Sequence, residues 1–251
     1  MQILEKAPVS AGKTTKKAGG LFSVIAVSAI MVFSASCQKE SDATPESLRL
    51  SDETAVSVSP CGSAAFTYTN TFGTLALDCD GEVYQVTDFL QGTAGGTGNP
   101  PHNANQVYYY SFATNDGTNA VDWDLRFTGT ANADVYVDTT ATLEYTTTAF
   151  GSISGSTSWT LIGTGAKIGF NRTSTTNFTV NTTTPGWYNY DFSNHKALPL
   201  VENGQPLTLR ITYSPSRIYI VELQDIYSGG TPNATYLPTN YPYLTFRYYR
   251  Q

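Results

Sequence analysis

Leu207-Thr208-Leu209-Arg210-Ile211-Thr212-Tyr213 alternates apolar and polar side chains without a break. Successive side chains on an extended chain point to opposite faces. This period of two predicts a strand with Leu207, Leu209, Ile211 and Tyr213 against a core and Thr208, Arg210 and Thr212 turned away from it. Ile218-Tyr219-Ile220-Val221, just downstream, is apolar on both faces and predicts a strand lying between layers. Working outward, further strand candidates recur at 66–68, 75–77, 82–88, 106–113, 121–127, 133–137, 142–145, 158–162, 177–180, 187–192 and 243–250, with Gly, Asn and Pro in the turns. Short strands punctuated in this way imply sheets folded on one another.

Composition agrees. Aromatics make up 13% of the chain, with 17 Tyr, and charged residues 14%; β-branched and aromatic side chains pack well on a pleated surface. Beyond the first 36 residues, no long segment shows apolar residues spaced three and four apart, so helix should be nearly absent. The expectation is an all-β fold: one domain of layered, mainly antiparallel sheets over 61–251. A net charge of −6 without a clustered Lys/Arg footprint excludes nucleic acid as a partner.

Lys13, Lys16 and Lys17 precede an apolar run, 21–33, that ends in Ser34-Ala35-Ser36-Cys37. A run of about fourteen residues falls short of the ~18 to 20 that a membrane span needs, so 1–36 reads as a signal peptide. Its end resembles a bacterial lipobox, which implies cleavage before Cys37 and acyl chains, palmitate among them, on that residue. Gln38-Lys39-Glu40-Ser41-Asp42 resembles the export signal that sends some lipoproteins to the outer face of the outer membrane. The polar stretch 37–60 lacks core periodicity and reads as a flexible tether. With Cys37 acylated, Cys61 and Cys79 remain as a candidate disulfide in an oxidising compartment.

No catalytic constellation emerges. Gly151-Ser152-Ile153-Ser154-Gly155 has Ile at the nucleophile position of a serine elbow, and 92–98 lacks the Lys-Ser/Thr of a phosphate loop. Asp78 with Asp80 and Asp122 with Asp124 are spaced to share one side of a strand, which invites a calcium or glycosidase reading. A solvated Asp-Gly turn explains the first pair equally simply. The chain reads as a binder, not an enzyme.

Val107-Tyr108-Tyr109-Tyr110-Ser111-Phe112 followed by Asp122-Trp123-Asp124-Leu125-Arg126-Phe127 resembles a strand pair of the HmuY family, lipid-anchored haem-binding proteins. Gly186-Trp187-Tyr188-Asn189-Tyr190-Asp191 and Tyr243-Leu244-Thr245-Phe246-Arg247-Tyr248-Tyr249-Arg250-Gln251 are similar to two further motifs of that family, in the same order. The chain departs from the pattern at Arg126, where a small residue is usual, and at Glu222, where a basic residue is common. The resemblance implies a surface lipoprotein that grips haem and hands it to an outer-membrane transporter. Haem iron takes His, Met, Cys or Tyr as axial ligands. Both Met residues lie in 1–36, so His195 and His102 become the candidate iron ligands, with Tyr188 and Tyr190 as substitutes. Trp187 and Tyr188 are candidates to line the haem slot, and Lys196, Arg210 and Arg217 to neutralise propionates. A glycan-binding lipoprotein on the same scaffold, its flat Trp123, Trp159 and Trp187 faces stacking on sugars, is the alternative. A third possibility is an adhesin whose 243–250 strand pairs with a neighbour.

Overall fold

The computed structural model describes residues 55–95 and 106–251. The signal segment, Cys37, most of the tether and His102 lie outside the described residues. In chain order the strands are β1 (Ser63–Ala65), β2 (Thr71–Leu77), β3 (Tyr84–Gln91), β4 (Tyr108–Ser111), β5 (Asp116–Gly117), β6 (Leu125–Thr128), β7 (Asp134–Val137) and β8 (Thr142–Thr146). Then follow β9 (Thr160–Thr164), β10 (Lys167–Phe170), β11 (Gly186–Asp191), β12 (Lys196–Pro199), β13 (Thr208–Ser214), β14 (Arg217–Asp225) and β15 (Leu244–Arg250). They form an eight-stranded sheet, β1-β2-β3-β15-β14-β13-β8-β9, and a seven-stranded sheet, β12-β11-β10-β7-β6-β4-β5. The fold is all-β and mainly antiparallel, with β10 and β11 as a parallel pair. Among the described residues, helix is confined to short 3-10 turns such as Phe150–Ser152 and Val201–Asn203.

Register explains the alternation in β13. Tyr145, Leu209, Val221, Tyr248 and Tyr84 stand opposite one another across five strands of the first sheet and face the core. The next row, Glu144, Arg210, Ile220 and Tyr249, faces out. Ile220 is nonetheless fully buried, because Phe150 folds back over this face, its ring 5.3 Å from that of Tyr249. The two-sided apolar pattern of β14 is therefore covered by a sheet on one side and a 3-10 turn on the other.

Between the sheets lies an aromatic core. Tyr110 meets Phe89 at 5.4 Å and Phe246 at 5.1 Å, both edge to face, and Phe127 lies 5.7 Å from Phe246. Tyr110 and Tyr248 share a hydrogen bond of 2.8 Å, and Tyr248 also donates to Asn115 Oδ1. Burial pushes both phenols well above the ordinary tyrosine range, so they stay neutral. A buried ion pair ties the sheets together. Arg217 Nη2 lies 2.7 Å from Asp124 Oδ1, while Asp124 Oδ2 accepts the Phe112 N–H at 2.7 Å.

Some expectations need correction. Residues 66–68 form no strand: the N–H groups of Thr67 and Tyr68 both donate to the Asp116 carboxylate, which takes the place of a ladder partner. Nor do residues 177–180, whose backbone is held by asparagine side chains. Strands β1, β5, β10 and β12 were not expected. The folded domain also begins before residue 61, since Val56 is buried and its N–H donates to Thr114 O at 2.7 Å. The last part of 37–60 thus packs on the domain instead of serving as tether.

Cys61 and Cys79 form a disulfide across a sequence separation of 18, joining the start of β1 to the turn after β2. By chain entropy, closing such a loop adds roughly 3 kcal/mol. Reduction should move the urea midpoint down accordingly; an unchanged midpoint in reductant would show that β1 and β2 need no covalent tie.

Candidate functional site

The candidate site is built where β10 runs parallel to β11. Gly169 stands opposite Gly186, and the two backbones approach so closely that a Cβ at Gly186 would collide with Asn171 N and Gly169 O. The long connection that follows β10 is pinned by two fully buried asparagines. Asn171 Nδ2 donates to Asn189 Oδ1 at 2.9 Å and to Thr179 O at 3.1 Å, and its Oδ1 accepts the Asn181 N–H at 2.7 Å. Asn189 Nδ2 donates to the carbonyls of Ser174 and Asn177. Side-chain amides thus replace a ladder here and hold Arg172 and Thr173 against the sheet.

A cleft of about 580 Å³ results, walled by Phe170, Tyr188, Tyr190 and Phe192, with Arg172, Thr173 and Thr130 at its border. The rings form one continuous apolar lining: Phe170 lies 6.2 Å from Tyr188 and 5.8 Å from Phe192, and Tyr190 lies 4.9 Å from Phe192. Phe192 is 58% exposed at the mouth. The Tyr188 hydroxyl donates to Asp134 Oδ1 at 3.4 Å. Burial first, and the Asp134 charge second, push its pKa well up, so it is a neutral donor. A second groove, about 810 Å³, is lined chiefly by hydroxyls, among them Thr146, Thr148, Ser154, Ser158 and Thr179.

The structure sorts the expected site residues. Tyr188 enters the cleft wall, and Tyr190 joins it. Trp187, one residue earlier, packs edge to face on Tyr188 with ring centroids 5.5 Å apart but does not border the cleft: its Nε1 donates to Ala133 O at 2.6 Å, so it is a core residue behind the wall rather than a ligand platform. His195 sits in the turn between β11 and β12 with φ of 53°, its ring 5.4 Å from that of Tyr236. That turn is closed by Asp191, which accepts from Asn194 Nδ2 and from the N–H groups of Asn194 and Ser193, and these bonds hold its pKa low. His195 lies outside the walls of both clefts. Lys196 stands across the ladder from Asp191, likewise away from both.

Arg210 and Arg217 are engaged elsewhere, by Glu144 at 2.6 Å and Asp124 at 2.7 Å, and neither reaches the cleft. Of the carboxylate pairs, Asp124 is internal and ion-paired. Asp78 accepts the N–H groups of Val83 and Glu82, which lowers its pKa and makes 78–82 a capped turn. Among the described residues, no group of three or more His, Cys, Asp or Glu is placed to hold a metal ion. Phe170 and Arg172 escaped the sequence reading; their signal was one apolar ring beside Gly169, in a stretch too short to show a period. Family models, curated proteins and solved structures give no match to this chain.

Proposed function

We propose that this chain captures a flat, mostly apolar, carboxylate-bearing ligand of the porphyrin class in the aromatic cleft and releases it unchanged. The observation that carries this reading is the meeting of four aromatic side chains, Phe170, Tyr188, Tyr190 and Phe192, with the Arg172 guanidinium at one cleft of about 580 Å³. Ring faces suit a macrocycle, and a guanidinium fork suits a propionate. By its resemblance to the HmuY family the ligand is haem. Cys37 anchors the protein to the outer membrane by its acyl chains, the domain faces the exterior, and an outer-membrane haem transporter receives the haem. When bound, haem supplies an iron centre. The cleft residues fit the ring and its carboxylates; toward iron they offer phenols, and the Tyr188 phenol is kept protonated. Ring contacts therefore carry the affinity.

Titrating the purified protein with hemin and with iron-free protoporphyrin tests this. Both should give saturable shifts of the Soret band, with affinities within about tenfold of each other. Arg172→Ala should weaken both by about tenfold, the loss of a charged hydrogen bond, and His195→Ala should leave both unchanged. No saturable shift with either porphyrin would sink the proposal, and binding of hemin alone would transfer it from the cleft to an iron ligand. The hydroxyl-lined groove favours a second reading, a neutral sugar ligand; retention of neutral oligosaccharides, with no porphyrin binding, would select it.

A further inference from the structure

Four arginines lie against aromatic rings: Arg210 at 4.7 Å from the Trp159 centroid, Arg217 at 4.1 Å from Tyr213, Arg247 at 4.4 Å from Phe150, and Arg126 at 4.2 Å from Tyr136. Three of them share a design, because each guanidinium also meets a carboxylate: Glu144 for Arg210, Asp124 for Arg217 and Glu222 for Arg247. Arg126 breaks it. Its guanidinium has a second ring, Trp123, at 5.4 Å, yet no carboxylate among the described residues pairs with it. Its Nε–H is buried without an acceptor. This is also one of the two positions at which the chain departs from the HmuY-like pattern.

The surroundings of Arg126 form an ordered face. Leu125 and Phe127 point into the core, which turns Arg126 outward. Tyr109, Arg126, Tyr136 and Lys167 stand opposite one another across β4, β6, β7 and β10. Trp123 joins the row, its ring 6.1 Å from that of Tyr109. Lys167 is neutralised by Asp134 at 2.8 Å, and Asp134 in turn accepts from Tyr188 on the cleft side. The uncompensated charge of this face is therefore Arg126, pinned between two rings and pre-organised to donate. A guanidinium held in this way matches a carboxylate bidentately.

We infer that the outer face of β4, β6, β7 and β10 is a second binding surface, for a uronate-bearing glycan, in which Arg126 takes the sugar carboxylate. The ligand supplies the anion that Glu144, Asp124 and Glu222 supply to the other three arginines. The half-exposed rings of Trp123 and Tyr109 take the C–H face of the sugar. This surface is separate from the porphyrin cleft and does not depend on that reading.

Calorimetric titration of the purified protein with an oligogalacturonate, its methyl ester and sodium acetate tests the inference. The acidic oligosaccharide should bind at least about tenfold more tightly than the ester and perturb tryptophan fluorescence, as expected when a charged hydrogen-bonding group is lost. Arg126→Gln should abolish that preference, and Arg126→Lys should restore little of it, since an ammonium lacks the fork. Equal binding of acid and ester, binding of acetate as tight as that of the oligosaccharide, or undiminished affinity in Arg126→Gln would each overturn it. The comparison of acid with ester uses the unaltered protein and stands even if a variant misfolds.

Discussion

Replacing Trp187 with Ala should cost about 3–5 kcal/mol of stability, the range for deleting a large buried aromatic ring. The indole fills the inter-sheet core at 2% exposure, and its Nε1 satisfies the Ala133 carbonyl, which would be left without that donor. Trp187→Phe should recover much of the packing but not the hydrogen bond, and so fall between. Urea unfolding followed by tyrosine and tryptophan fluorescence measures both. The result bears on function as well as stability. If Trp187 lined a ligand surface, its loss would lower porphyrin affinity and leave the midpoint alone. A core role reverses this: the midpoint falls while the folded fraction binds porphyrin as before.

Arg217→Met should be comparably damaging, at about 3 kcal/mol or more, because it leaves the Asp124 carboxylate buried without its counter-charge. The side chains of Arg217 and Asp124 are 14% and 2% exposed, so solvent cannot take the place of the missing partner. The carboxylate keeps the Phe112 N–H and, at 3.4 Å, the Ser111 hydroxyl as donors, while the Tyr213 hydroxyl donates to the Asp124 backbone carbonyl. Adding Asp124→Asn to Arg217→Met should return part of the loss, since an amide is far cheaper to bury than a lone carboxylate. A double-mutant cycle in urea isolates the coupling. A single-variant cost below about 1 kcal/mol would class the pair with solvent-exposed bridges and remove it as the link between sheets.

The sequence made some of this legible and left the rest hidden, for physical reasons. β13 announces itself because one face is buried and the other is not. Leu207 to Tyr213 therefore carries a contrast that needs no structure to read. The stretch 186–190 carries none, since every residue in it is buried, and period-two logic cannot decide which aromatic turns inward. Trp187 and Tyr188 were thus equally good candidates for a ligand wall; both are buried and their rings touch, and only Tyr188 borders the cleft. β10 is four residues long and includes Gly169, so Phe170 and Arg172 gave no periodic signal. The 177–180 stretch looked extended on residue type, but Asn171 and Asn189, distant in sequence, supply its hydrogen bonds. The tether was read too far because Val56 is a single apolar residue among polar neighbours. Glu144, Asp124 and Glu222 as partners of arginines, and the lack of such a partner for Arg126, depend on register between strands that no local pattern records.

β15 lies in the middle of the first sheet, hydrogen-bonded to β3 on one side and β14 on the other. Phe89 in β3 pairs with Leu244, so a strand laid down early must wait for one made more than a hundred and fifty residues later. Until that late segment arrives, the sheet exists as two halves with a raw seam between them. In a chain emerging in order from a ribosome or an export channel, the first sheet therefore stays open between β3 and β14 and closes in a late step. Such timing is compatible with threading through a membrane before folding, and it makes the seam, with its unpaired β3 and β14 edges, the place where a holding chaperone would be of most use.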